Sequence, residues 1–131
     1  MPEYKVLVTG SREWHDWKAI YSTLDRLRRR ALLLHGHPLV VIHGEARGAD
    51  LIAKAYATEH SVVERGYPAQ WDRYGKKAGA VRNRLMLDHE QPALVVGFLM
   101  VGDFERMRRS GTRDCLLAAD ERRVPVLLVT C

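Results

Sequence analysis

Three observations predict a single Rossmann-like α/β domain with a five-stranded, mainly parallel sheet in the order 3-2-1-4-5, flanked by about four helices. Short apolar runs alternate along the chain with longer segments of three- and four-residue apolar period. Glycines and small polar residues gather directly after the apolar runs, where strand-to-helix turns belong. The length, 131 residues, matches one domain spanning 1–131, large enough to bury a core without disulfides or metal.

Residues 4–9 are rich in β-branched side chains and run into Gly10, which reads as a first strand. Asp16 caps a helix whose apolar positions are Trp17, Ile20, Tyr21, Leu24, Leu27, Ala31 and Leu34. Gly36 and Pro38 stop it. Leu39–His43 is the second strand, followed by a glycine-rich turn and a helix to about His60. Residues 61–64 form a short third strand and 67–75 a loop. Ala78–Glu90 carries helical spacing, with Val81, Leu85 and Met86 directed inward. Residues 93–100 are the fourth strand, 111–123 the last helix and 124–129 the fifth strand. Apolar strands joined through helices imply parallel, right-handed crossovers, and the strand order reverses between the first and fourth strands. Ligands of such sheets bind beyond the strand carboxyl ends at that reversal.

The composition, 47% hydrophobic and 28% charged, excludes global disorder. The longest apolar runs, 93–101 and 124–129, fall well short of the roughly 20 residues that span a bilayer. Residues 1–5 lack the pattern of a secretory signal, so a cytoplasmic protein with no membrane association is expected. Cys115 and Cys131 form no C-x-x-C pair and read as free thiols of a reducing compartment. Six histidines are scattered without ligand spacing, and no metal or cofactor is expected. Lysine plus arginine exceed aspartate plus glutamate, 21 − 16 = +5, which favours anionic partners without choosing between a nucleotide and a nucleic-acid backbone. The arginine-rich stretch 26–30 resembles a nucleic-acid patch but reads better as the solvent side of the first helix.

The chemistry should sit in the loops after strands. In the first, Gly10 permits a tight turn, the amides and the Ser11 hydroxyl can face an anion, and Arg12 can neutralise it. Trp14 can stack on a base or clamp the loop from beneath. In the second, Gly44, Glu45, Arg47, Gly48 and Asp50 surround a helix start. Asp50 suits the helix dipole, whereas Glu45 faces the predicted crevice and can bind ribose hydroxyls or act as a base. Arg109, Ser110, Gly111 and Thr112 precede the last helix, where hydroxyls and backbone amides can grip phosphate or simply cap the helix. Residues 67–79 interleave aromatics with cations, which suits a nucleotide, a single-stranded nucleic acid or a lid. No G-x-S-x-G elbow supports Ser/His/Asp catalysis.

Together, Thr9-Gly10-Ser11-Arg12, His43-Gly44-Glu45-Ala46-Arg47-Gly48-Ala49-Asp50, Tyr67-Pro68-Ala69-x-Trp71, Gly75-Lys76-Lys77-Ala78-Gly79, Arg82-Asn83-x-x-Met86 and Ser110-Gly111-Thr112 resemble the YspA/YpsA-related branch of the SLOG superfamily. The resemblance runs from about residue 4 to residue 129 and implies a Rossmann-like domain that binds nucleotides or their derivatives. The superfamily includes the LOG phosphoribohydrolases, whose catalytic arginine lies in a pattern similar to Arg82-Asn83-x-x-Met86 and whose P-G-G-x-G-T-x-x-E motif resembles residues 109–115. Cys115 stands where that motif carries its catalytic glutamate, and Asp114 points elsewhere on a helix. The departure argues against LOG-type hydrolysis and leaves Glu45, with Arg82, as the candidate catalytic pair. DprA, a single-stranded DNA binder, carries a motif similar to residues 44–50.

The expected partner is therefore a nucleotide-derived molecule of AMP, NAD or ADP-ribose type, bound by a sensor or nucleotide-processing domain. Gly10, Ser11, Arg12, Gly44, Asp50, Arg109, Ser110, Gly111 and Thr112 are its candidate contacts. Glycosidic hydrolysis and single-stranded nucleic-acid binding are the alternatives, and resemblance to related hydrolases implies a homodimer.

Overall fold

A computed structural model describes residues 2–104 and 110–131; Arg109 lies outside the described residues. Five strands, β1 (Tyr4–Gly10), β2 (Leu39–His43), β3 (Val63–Gly66), β4 (Leu94–Leu99) and β5 (Val126–Thr130), form one sheet in the order β3-β2-β1-β4-β5. Every pairing is parallel, with Val8 opposite His43 on one side and Val96 on the other. Helices α1 (Trp17–Arg30), α2 (Ala49–Glu59), the single-turn α3 (Trp71–Tyr74), α4 (Ala78–Glu90) and α5 (Gly111–Glu121) complete the fold.

Alternate residues of the central strands feed two cores. Val6, Val8, Val41, Val96 and Phe98 pack with Ile20 and Leu24 of α1 and Ala53 and Tyr56 of α2. Leu7, Val40, Ile42 and Val95 face Met86 and Leu87 of α4 and Cys115, Ala118 and Ala119 of α5. This double coverage explains why the central strands read as continuous apolar runs. Each fully buried Leu, Ile or Phe contributes about 1.5–3 kcal/mol, so burial on both faces is a large part of what holds the sheet together.

The ends of the elements depart from the sequence reading for a common reason. Ser61, Gln91 and Arg123 adopt left-handed φ values of 54°, 48° and 58° just beyond α2, α4 and α5. The amides of Val62 and Val124 then donate to Ala57 and Ala119, 2.8 and 3.0 Å. These residues close helices, so β3 and β5 start at Val63 and Val126, later than expected. After α1 the turn 31–35 widens to π-helical geometry and ends at left-handed Gly36, which turns Leu34 out to solvent. Trp17 is likewise half-exposed, although Ile20, Leu24, Leu27 and Ala31 are buried as expected. Leu85 faces solvent and Val81 is only half-buried, because α4 presents Asn83, Met86, Leu87 and Glu90 to the interior. The expected loop 67–75 contains α3. Edge strand β5 leaves Val126, Leu127 and Leu128 substantially exposed.

Among the described residues no helix is long and apolar enough to cross a membrane. Arg26, Arg29 and Arg30 are exposed on α1, while Arg28 is half-buried. Cys115 is buried and Cys131 exposed, both as free thiols.

Candidate functional site at the strand-order reversal

Beyond the carboxyl ends of β1 and β4, at Gly10 and Leu99, lies a cavity of about 310 Å³. Its walls come from the loop after β1, the first turn of α2, Arg82 of α4 and the first turn of α5. Close backbone packing makes this convergence: a methyl on Gly10 would stand 2.6 Å from the Phe98 carbonyl oxygen and 2.7 Å from Ala49 Cβ. Gly48, at φ 81°, lets the α2 turn press directly on the Ser11 and Arg12 backbone.

Much of the first loop is already committed internally. The Ser11 amide donates to Phe98 O at 2.8 Å, and its carbonyl accepts from the amides of Trp14 and Ala49, both 3.2 Å. Ser11 Oγ accepts from the Glu13 amide at 3.1 Å, so only its own hydroxyl proton remains to donate into the cavity. Arg12 is exposed and lines the cavity. Trp14 is a clamp: it is buried, meets Phe98 edge-on at 5.4 Å and donates its indole N–H to Asp16 O at 2.8 Å.

Asp50, in the first turn of α2, organises the second loop. Its Oδ2 accepts from the amides of Gly44 (2.9 Å) and Ala46 (3.4 Å). Burial raises the Asp50 pKa, and the two amides and the nearby Arg82 charge only partly oppose it. Arg82 reaches across to donate from Nη1 to Gly44 O (2.6 Å) and Tyr67 O (3.4 Å), and from Nε to Asn83 Oδ1 (2.9 Å). Burial lowers the Arg82 pKa; Asp50 counters this, while the charge of Arg12 adds to it. Nη2 makes no hydrogen bond to a described residue. Two neighbouring guanidiniums in a partly desolvated wall favour an anion between them.

Glu45 is placed differently from what its neighbours suggest. Its backbone is left-handed, φ 57°, and its carboxylate lies over Gly66, ion-paired to Lys54 at 2.8 Å. The Lys54 bond holds its carboxyl below the usual range. The Glu45 amide donates to His43 Nδ1 at 3.1 Å, so Nε2 of this buried histidine carries the proton and donates to Glu64 at 2.5 Å.

Ser110 caps α5, its Oγ accepting from the Arg113 amide at 3.0 Å, and buried Thr112 lines the cavity beside Gly111. Asp114 turns away to Arg84 (3.0 Å) and Asn83 (3.1 Å). Cys115 lies beneath the crevice, where burial pushes its thiol up to about 12. Gly10, Ser11, Arg12, Asp50, Arg82, Ser110, Gly111 and Thr112 thus share one cavity, while Gly44 and Glu45 line an adjoining one.

Thr9, Glu13, Ala46 and Leu99 also line the first cavity, and Asn83 braces α4 against α5 by donating to Gly111 O at 3.0 Å. The sequence carried Asn83 only within the Arg82-Asn83-x-x-Met86 pattern; an asparagine inside a helical segment is the further signal for it, because asparagine is a poor helix former. Among the described residues no three of His, Cys, Asp and Glu gather as metal ligands.

The sequence profile of the YspA, cpYpsA-related SLOG family matches residues 4–74, more than half of the chain. The chain belongs to this family. SLOG membership implies a nucleotide-related binding domain, and the matched span carries the β1 loop, the Gly44 loop and Trp71. Arg82 and α5 lie beyond it. This SLOG domain is also similar to the gene 61 protein of Mycobacterium phage D29, 35% identical over 129 residues and covering 94% of each chain. No solved structure matches it.

Proposed function

We propose that this SLOG domain binds a nucleotide-derived ligand of the AMP, NAD or ADP-ribose class in the crevice between β1 and β4, as a sensor or nucleotide-processing domain. The observation that carries this reading is the convergence of Arg12, Arg82 and the first turn of α5 on one cavity of about 310 Å³ at the strand-order reversal. Phosphate lies between the guanidiniums and the Gly111 and Thr112 amides, where helix-end N–H groups and positive charge act together. Asp50 keeps the Gly44 loop in shape from the cavity wall.

Binding is better supported than glycosidic hydrolysis. Hydrolysis requires a carboxylate at the leaving base or the developing oxocarbenium ion. Glu45 is engaged by Lys54, Asp114 by Arg84 and Asn83, and Asp50 by two backbone amides. Arg82 accordingly serves as an anion contact, and Glu45 as a brace of its loop.

Calorimetric titration with AMP, NAD and ADP-ribose tests the reading. Arg12→Ala and Thr112→Ala should each weaken the tightest ligand; unchanged affinity in both variants refutes the phosphate assignment. Ribose phosphate released by the wild type and not by Glu45→Gln would restore hydrolysis. Affinity that falls steeply with salt and grows with oligonucleotide length would establish a single-stranded nucleic-acid binder.

A further inference from the structure

A second cavity of about 320 Å³ adjoins the first and shares Arg12, Ala46 and Arg82 with it. Its other walls include Pro68, Ala69 and Trp71, and so an aromatic ring that the first cavity's wall does not have. We propose that this second cavity is the subsite for the ligand's base, with Trp71 as the stacking platform. The proposal rests on the nucleotide-binding reading and adds where the base lies and what recognises it.

Trp71 is 51% exposed on the single-turn helix α3. Its ring edge lies near Gly79 of α4, where an added methyl would stand 3.8 Å from Trp71 Cη2. The other exposed aromatics are differently employed. Trp17 is 52% exposed but meets Tyr21 edge-on at 5.1 Å and carries Lys18 over its ring at 5.8 Å. Tyr74 has the Arg73 guanidinium over its ring at 5.2 Å. Among the described residues no ring or cation covers Trp71.

Charge and size order the ligand across the two cavities. Arg47 is paired with Glu13 and Glu45 with Lys54, which leaves Arg12 and Arg82 as the cations of the shared wall. The first cavity, walled by Thr9, Ser11, Asp50 and Thr112, suits a ribose and its phosphate; the second, which adds the Trp71 ring, Pro68 and Ala69 to the shared arginines, suits a base. Each cavity alone is at the small end of the roughly 300–1,000 Å³ of small-molecule sites, and joined they fit a nucleoside phosphate or its ester. Stacking tolerates any base, so discrimination between bases should be weak.

Titration calorimetry of AMP and ribose 5-phosphate into wild type and Trp71→Ala tests the subsite. The base should strengthen wild-type binding, and Trp71→Ala should weaken AMP by about 5- to 150-fold while ribose 5-phosphate binds both proteins equally. Trp71→Phe should restore most of the loss. Binding of AMP and ribose 5-phosphate that is equal and indifferent to Trp71→Ala overturns the base subsite but leaves the phosphate site standing. Absence of binding by AMP and ribose 5-phosphate, with NAD and ADP-ribose also unbound, overturns both readings. An oligothymidylate that binds far tighter than AMP and is lost in Trp71→Ala would assign the platform to single-stranded nucleic acid and overturn the small-ligand proposal.

Discussion

Gly44→Ala displaces the Arg82 guanidinium without removing its charge. The φ of Gly44 is outside the left-handed region, so alanine fits the backbone, but its methyl would overlap Arg82 Nη1 and stand 2.5 Å from Cζ. The guanidinium must move and give up its 2.6 Å bond to Gly44 O. A hydrogen bond from a charged donor contributes about 1.5–3 kcal/mol, which for a domain of this size lowers Tm by about 5–10 °C. In an Arg82→Ala background there is nothing to displace. Gly44→Ala should then be neutral or stabilise by up to about 1 kcal/mol through the unfolded chain. Chemical denaturation of the two single variants and the double variant measures this coupling, expected at about 1.5–3 kcal/mol. AMP affinity should also fall at least tenfold, roughly, in Gly44→Ala, although net charge is unchanged. Equal destabilisation by Gly44→Ala with and without Arg82 would refute the packing of this guanidinium on the Gly44 loop.

Gly10→Ala should destabilise by about 1–3 kcal/mol or more, since its methyl meets the Phe98 carbonyl and Ala49; Gly111→Ala, with open space around the methyl, should leave the denaturation midpoint nearly unchanged. Burial alone would raise the Glu90 pKa, but Arg65 (2.9 Å), Tyr67 (2.6 Å) and Lys5 outweigh it and bring it below the usual value. Its stabilisation is therefore present above the unfolded carboxylate pKa and lost as pH falls through the lower folded value. Glu90→Gln should lower Tm at pH 7 and flatten the acid limb of the Tm–pH curve; an unchanged acid limb contradicts the network. A thiol reagent at neutral pH should modify Cys131 quickly and buried Cys115 only on unfolding; rapid labelling of both by mass spectrometry contradicts the packing.

The layered sheet was legible because β1, β2 and β4 are buried on both faces, and a strand so placed must be apolar throughout. The junctions were not, because Ser61, Gln91 and Arg123 carry no glycine signal although each takes a left-handed φ. Edge position explains β3: Glu64 and Arg65 are drawn into bonds with His43 and Glu90 that no local pattern announces. Leu85 and Val81 fail by the same measure, since the face α4 buries is set by its partners rather than by apolar spacing.

At the site, the residue types after each strand indicated which segments meet, since loops at strand carboxyl ends must share one side of the sheet. Direction was hidden. Nothing in the spacing turns Glu45 toward Lys54, commits the Ser11 amide to Phe98, or leaves Trp71 rather than Trp14 facing solvent.

Amide chemical-shift mapping during titration with ADP-ribose tests the central claim most directly. Ligand in the β1/β4 crevice predicts the largest shifts at Gly10, Ser11, Arg12, Gly111 and Thr112, saturating together. Shifts confined to the arginines of α1, or no shifts at millimolar ligand, would contradict a nucleotide site at the strand-order reversal.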